Sequence, residues 1–185
     1  MLLTIDVGNT NITMGVFREE ALLGMFRMTT KRPRTSDEYG MTICGILEHR
    51  AIDPKKIKAV IIASVVPDIM HSLTSGIIKY LQTTPLIVSA DSDTGVRVNT
   101  ENPSRTGPDR IVNAVAGYAI AKGPAIVIDF GTATTYDLIS PDSTLEACII
   151  APGIETAGRS LWGGAAMLPV SYTHLRAHET TLHRG

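Results

Sequence analysis

An excess of charge is missing from this chain: 17 basic residues face 18 acidic ones over 185 positions, a net of −1. Nothing in that balance points to a nucleic-acid surface or a polybasic membrane patch, so no nucleic acid and no membrane is expected as a partner. Cysteine is scarce as well. Cys44 and Cys148 both sit inside apolar stretches, which reads as two buried thiols in a reducing compartment rather than a disulfide. No run approaches membrane-spanning length, and Met1-Leu2-Leu3-Thr4-Ile5-Asp6 lacks the basic leader and long apolar region of a secretion signal. A cytoplasmic protein is expected. Two nucleotide signatures are also absent, G-x-x-x-x-G-K-[ST] and G-x-G-x-x-G, which excludes a P-loop enzyme. Aromatic residues make up only 5% of the chain against 44% hydrophobic, enough for one compact domain or two small ones with a sizeable core.

What is present begins with "TIDVGNTNITMGVF". Thr4 to Val7 and Ile12 to Phe17 read as strands, joined by the turn Gly8-Asn9-Thr10-Asn11. A third strand follows at 21–30, then a helix capped by Thr35 with Glu38 three residues on and an apolar stripe of Tyr39, Ile43, Ile46 and Leu47. Residues 57–66 form a β-branched run expected to be a strand buried on both faces. Pro67 starts a helix to about Tyr80, and 85–90 reads as another buried strand before a polar loop. A helix from Pro108 carries Ile111, Val112, Val115 and Tyr118 on one side, and 124–140 is a second strand-turn-strand unit. Strands alternating with helices give an α/β class.

The two hairpins match. Ile5-Asp6-Val7-Gly8 aligns with Ile128-Asp129-Phe130-Gly131, which suggests a duplicated α/β unit with a cleft between the copies. Glycine lets backbone approach a ligand closely, and the amides after it can form an anion nest. Thr10 and Asn11 in one turn, Thr132 and Thr134 in the other, add side-chain donors. An aspartate at each strand end can hold a metal ion against phosphates. A turn-capping aspartate is the simpler reading of either hairpin alone; the pair favours phosphate. In "NPSRTGPDRIVNAV", Asp109 and Arg110 fall in a helix first turn. Asp109 could serve only to complement the helix dipole. An arginine there is less expected, and suits a bidentate grip on a substrate carboxylate.

"IDVGNTN", "NPxxxGPDRIVNAV", "IDFGTATTYD" and "APGI" followed by "LP" resemble, in this order, the type III pantothenate kinases of the acetate and sugar kinase, Hsp70 and actin superfamily. The resemblance covers residues 1 to about 170. It implies a duplicated ribonuclease-H-like, actin-like ATPase fold with the second half incomplete, ATP-dependent phosphorylation of pantothenate to 4′-phosphopantothenate in coenzyme A synthesis, and a homodimer. It implies Mg2+ and a monovalent cation, K+ or NH4+, as cofactors. By position, Asp6, Val7, Gly8, Asn9, Thr10, Asn11, Ile12 and Thr13, with Gly131 and Thr132, would lie at the ATP phosphates, Asp6 holding magnesium. Asp129 would hold the monovalent cation. Thr100, Gly107, Pro108, Asp109 and Arg110 would form the pantothenate site, with Arg110 facing the carboxylate. Asp109 would be the catalytic residue; the helix dipole favours its charged form, so it is expected chiefly to orient the hydroxyl and take the proton late.

Three departures stand against this pattern. Thr100 replaces a tyrosine that many relatives carry. Two adjacent glycines weaken the helix expected across 160–167. From about residue 171 the tail "SYTHLRAHETTLHRG" does not resemble the family, and the Gly-Lys-Asn-Thr motif of relatives is absent. Residues 1–115 are therefore expected as the first half with the phosphate hairpin and pantothenate motif, and 116–170 as the start of the second. Residues 171–185 are expected to be a disordered or artefactual tail, whose His174, His178 and His183 are not a metal site. A catalytically inactive regulatory relative or a truncated fragment is the alternative.

Overall fold

The computed structural model describes residues 1–30 and 33–164. Its first sheet has five strands: β1 (Leu2–Val7), β2 (Asn11–Arg18), β3 (Ala21–Thr29), β4 (Ala59–Ser64) and β5 (Leu86–Ile87), in the order β3-β2-β1-β4-β5. β1, β2 and β3 form an antiparallel meander, while β4 runs parallel to β1 and β5 parallel to β4. Parallel pairing demands crossovers, and two helices supply them. α1 (Ser36–His49) starts at the anticipated capping box, Thr35 accepting from the Glu38 amide and Glu38 from Thr35. α2 (Met70–Leu81) follows a short 3-10 turn at Pro67–Ile69 and ends at Gln82 in the left-handed region.

Strand alternation decides what each sheet face covers. Leu3, Ile5 and Val7 of β1, with Val60 and Ile62 of β4, pack on Tyr39, Ile43, Leu73 and Ile77 of the two helices. Ile61 and Ala63 point the other way and meet Ile111 of α3 (Pro108–Ala121). β4 is thus covered on both faces, as its unbroken apolar run requires. Helices α1 and α2 cross closely: a Cβ added at Gly40 would lie 2.1 Å from Tyr80, and one at Gly76 would lie 2.5 Å from the Ser36 carbonyl oxygen.

The buried strand expected at 85–90 is a correction. Only Leu86 and Ile87 pair, and both side chains are exposed. The segment is the sheet's outer strand; Val88 turns inward toward Ala63 and Ile111, with Ala90 partly packed beside it. The polar loop after it also holds an unexpected element, β6 (Arg97–Val98), which pairs with the second sheet.

That second sheet contains β7 (Ala125–Phe130), β8 (Ala133–Ile139) and β9 (Thr144–Pro152) in the order β6-β9-β8-β7. β7, β8 and β9 repeat the antiparallel meander of β1, β2 and β3. Val127, Ile139 and Leu145 pack with Ala114 against α3, so α3 is a spine shared by both sheets, and residue 115 lies in its middle. The opposite face differs between the copies. Ile5 and Val7 are 2% and 0% exposed, whereas Ile128 and Phe130, at the matching positions, are 47% and 66% exposed. β1 has β4 at its edge and two helices over that face, whereas among the described residues β7 is the outer strand of its sheet. The last described helix is α4 (Ile154–Gly164). The tail at 171–185 and its three histidines lie outside the described residues.

Candidate active site

Each hairpin turn is locked by the backbone. The Gly8 amide donates to the Asn11 carbonyl at 2.9 Å, and the Gly131 amide to the Ala133 carbonyl at 3.0 Å. Thr30, which no motif flagged, braces the first turn: its hydroxyl donates to the Gly8 carbonyl at 2.7 Å and its amide to the Thr10 carbonyl at 2.9 Å. Among the described residues the amides of Asn9, Thr10 and Thr132 donate to no protein carbonyl. Such amides on tight turns are what an anion nest uses.

The turns meet. Thr10 and Thr132, 122 residues apart in the chain, bring their hydroxyls within 3.3 Å. Asp6 and Asp129 each lie next to last in their strand, β1 and β7, beside one turn and the other. Burial pushes the Asp6 carboxyl above its ordinary range, and the negative charges of Asp109 and Asp129 push it further. Asp109 and Asp129, from α3 and β7, thus stand close enough to act on Asp6. No three histidine, cysteine, aspartate or glutamate side chains converge as a ready-made metal cage among the described residues.

A cleft of about 790 Å³ opens next to them, lined by Asn9, Thr100, Gly107, Pro108, Asp109 and Arg110, with Thr135 and Cys148 from the second sheet. Asp109 sits in the first turn of α3. Gly107 has an ordinary extended backbone, φ −60 and ψ 140, so conformation does not demand glycine. Space does: a Cβ there would lie 2.3 Å from the Asp109 Oδ1. The Thr100 hydroxyl lies 2.8 Å from that of Thr106 and closes the loop that carries the motif.

Several expected residues sit differently from the simple reading. Val7 and Ile12 are fully buried core residues, so only their backbone can face a phosphate, while Thr13 lies opposite Asp6 in the strand pair. Thr134 is buried and its hydroxyl donates to the Pro152 carbonyl at 3.3 Å; it braces the hairpin instead of offering a donor. Arg110 is 6% exposed, and its Nη1 donates to Asp137 at 2.7 Å and its Nη2 to the Ile149 carbonyl at 3.0 Å. Its guanidinium reaches the cleft wall already partnered. Asp137 and Gly153 fall inside the motifs "IDFGTATTYD" and "APGI", but the sequence by itself assigns neither a role. Gly153 packs so tightly under the second turn that a Cβ would meet the Gly131 and Thr132 carbonyl oxygens at 2.4 and 2.5 Å.

Two ribonuclease-H-like units with facing hairpin turns define an actin-like ATPase fold. Solved structures agree on the fold: a putative N-acetylglucosamine kinase from Porphyromonas gingivalis aligns with TM-score 0.54 and 17% identity over 97% of this chain and 62% of its own. A Ppx/GppA phosphatase from Aquifex aeolicus aligns with TM-score 0.51 and 11% identity, covering 95% and 59%. A sequence model described as type III pantothenate kinase matches residues 2–183, and the chain belongs to that family. The type III pantothenate kinase of Agathobacter rectalis is 53% identical over 169 residues, and that of Listeria innocua 46% identical over the same length. Each alignment covers 91% of this chain and 65% of the relative, so the chain spans about two-thirds of the length of the relatives it matches.

Proposed function

We propose that this chain carries the phosphate- and substrate-binding cleft of an enzyme that transfers the terminal phosphoryl group of ATP to pantothenate, giving 4′-phosphopantothenate for coenzyme A synthesis. One observation carries the reading: the two hairpin tips meet at 3.3 Å beside a cleft that holds Asp109. ATP phosphates would take the free amides of Asn9, Thr10 and Thr132, with Gly8 and Gly131 letting the backbone approach. The donor chemistry fits Mg2+ held by Asp6, because that ion keeps most of its waters and needs one or two carboxylates plus phosphates rather than a protein cage. When bound, it neutralises charge on the phosphates. A monovalent cation, K+ or NH4+, would take Asp129.

Phosphoryl transfer has a loose transition state, so positioning and charge neutralisation do most of the work. Pantothenate would lie along Thr100, Gly107, Pro108 and Arg110, its hydroxyl turned to Asp109. That carboxylate orients the hydroxyl and accepts its proton as the new O–P bond forms. Gly107 leaves it the space to do so. The working form would be a cytoplasmic homodimer. No described helix is long and apolar enough to cross a membrane. The test is ADP release with pantothenate and Mg2+ supplied singly and together, with the product read by mass spectrometry. Release only when both are present, with pantothenate gaining one phosphoryl group, is expected. ATP hydrolysis indifferent to pantothenate would favour a general ATPase instead, and no nucleotide binding at all would favour a non-catalytic relative.

A further inference from the structure

The Arg110–Asp137 pair needs an explanation beyond stability. Its side chains are 7% and 0% exposed, and a buried ion pair is rarely better for stability than apolar side chains of the same volume. It joins the first turn of α3 to the middle of β8 across 27 residues of sequence. The second carboxylate oxygen, Oδ2 of Asp137, makes no hydrogen bond of ordinary geometry. Cys148 stands directly opposite Asp137 in the β8–β9 register, and its thiol is only a weak donor. Burial pushes the Asp137 carboxyl up, with Cys148 and Arg110 pulling it back. A carboxylate held here at such cost has one strong partner, the guanidinium.

We infer that Asp137 is a positioning residue for the substrate: it fixes Arg110 rigidly in the cleft wall, so that the guanidinium's uncommitted N–H groups are presented to the substrate's anionic end. The inference rests on the function proposed above. A guanidinium has five N–H donors. One is committed to Asp137 and one to the Ile149 carbonyl, and the Cys148 sulfur takes up another, so at least two remain. Donors fixed in advance lose little freedom on binding. Asp109 is the next residue on the same helical turn, so the pair also sets where that carboxylate stands relative to the second sheet. The substrate end meets an ion pair, not a bare cation, and is read by hydrogen-bond geometry more than by net charge.

The test compares the chain with Asp137→Asn, Arg110→Met and the double variant. Pantothenate affinity is measured by titration calorimetry, and melting temperature beside it. Alkylation of Cys148 and Cys44 by iodoacetamide is followed by peptide mass spectrometry. Asp137→Asn is expected to weaken pantothenate binding by about tenfold or more, the scale of a charge-assisted hydrogen bond, although it does not touch the cleft. Cys148 is held up by burial and by Asp137 while Arg110 pulls it down, so losing the Asp137 charge should speed its alkylation severalfold. Cys44, in the first half, should not change. The double variant should recover the melting temperature without recovering binding, because removing both partners leaves no buried charge behind. Unchanged pantothenate affinity in Asp137→Asn overturns the inference whatever Cys148 does, as does a parallel rise in alkylation at both cysteines, which signals general loosening. If the parent chain binds no pantothenate, the functional reading fails by itself, and the coupling in melting temperature between Asp137→Asn and Arg110→Met still decides whether Asp137 holds Arg110.

Discussion

Replacing Gly153 by alanine would place a methyl carbon 2.4 Å from the Gly131 carbonyl oxygen, 2.5 Å from that of Thr132 and 2.8 Å from the Thr132 carbonyl carbon. All three are backbone atoms, so no side chain can swing aside. Either α4 or the second phosphate turn must move by about 1 Å to restore van der Waals distance. Overpacking of this kind costs about 1–3 kcal/mol, or about 2–12 °C in melting temperature for a chain this long. α4 is tied to the turn through the Thr156 hydroxyl, which donates to the Thr132 carbonyl at 3.3 Å, and the Ala157 amide caps onto the Gly153 carbonyl at 2.8 Å, so strain at Gly153 passes to Thr132. Thr132 should therefore shift away from Thr10. Gly158→Ala on the same helix is the control, since nothing lies within 4 Å of its Cβ and alanine should stabilise α4 by about 0.5–1 kcal/mol. Thermal melts and Mg-ATP titrations on both variants read the two effects. Gly153→Ala with parental stability and nucleotide affinity would refute the buttress role.

Other expectations follow from the same geometry. The Asp6 carboxyl is raised above its ordinary value of 3.8 by burial and by Asp109 and Asp129, so the folded chain holds that proton more tightly than the unfolded one. The sign is then fixed: this contribution favours folding at low pH and is lost as pH rises through the raised value. Asp6→Asn should stabilise the chain at neutral pH, and its advantage should fade as pH falls through that value and vanish below about 3.8; urea melts from pH 3 to 8 check it. Ile5→Ala should cost about 3 kcal/mol, whereas Ile128→Ala at the matching position should change stability by under about 0.5 kcal/mol, because one side chain is core and the other open. Equal losses in urea melts would mean that the second sheet's outer face is covered. Asp109→Asn should cut turnover by about a hundredfold or more while pantothenate affinity changes little; equal losses would make it a binding residue only.

The hairpins were legible because their signal is local: a β-branched run, an aspartate, a glycine and a returning strand all fall within a dozen residues. The capping box at Thr35 and Glu38 was legible for the same reason. β5 was misread because Leu86 and Ile87 have the composition of a buried strand, and only tertiary position makes them an exposed edge. β6 was invisible, since Arg97 and Val98 pair only where β9 offers an edge. Asp137 closes the motif "IDFGTATTYD", yet nothing local says what it binds; its meaning comes from Arg110, 27 residues earlier. The same holds for Gly153, whose constraint is the backbone of residues 131 and 132. Arg110 shows the limit most clearly. Its helix position suggested a free anion grip, and only the folded chain reveals the partner that already holds it.

The most direct test of the central claim, that the facing hairpins grip a magnesium-bound nucleotide, is titration calorimetry of Mg-ATP against the chain and its Asp6→Asn variant at pH 7.5. Saturable binding by the chain, lost in a variant that melts higher than its parent, is the expected result, because the repulsion that destabilises Asp6 is what a bound cation relieves. Nucleotide binding that survives Asp6→Asn undiminished, or no saturable heat in either protein, would contradict it.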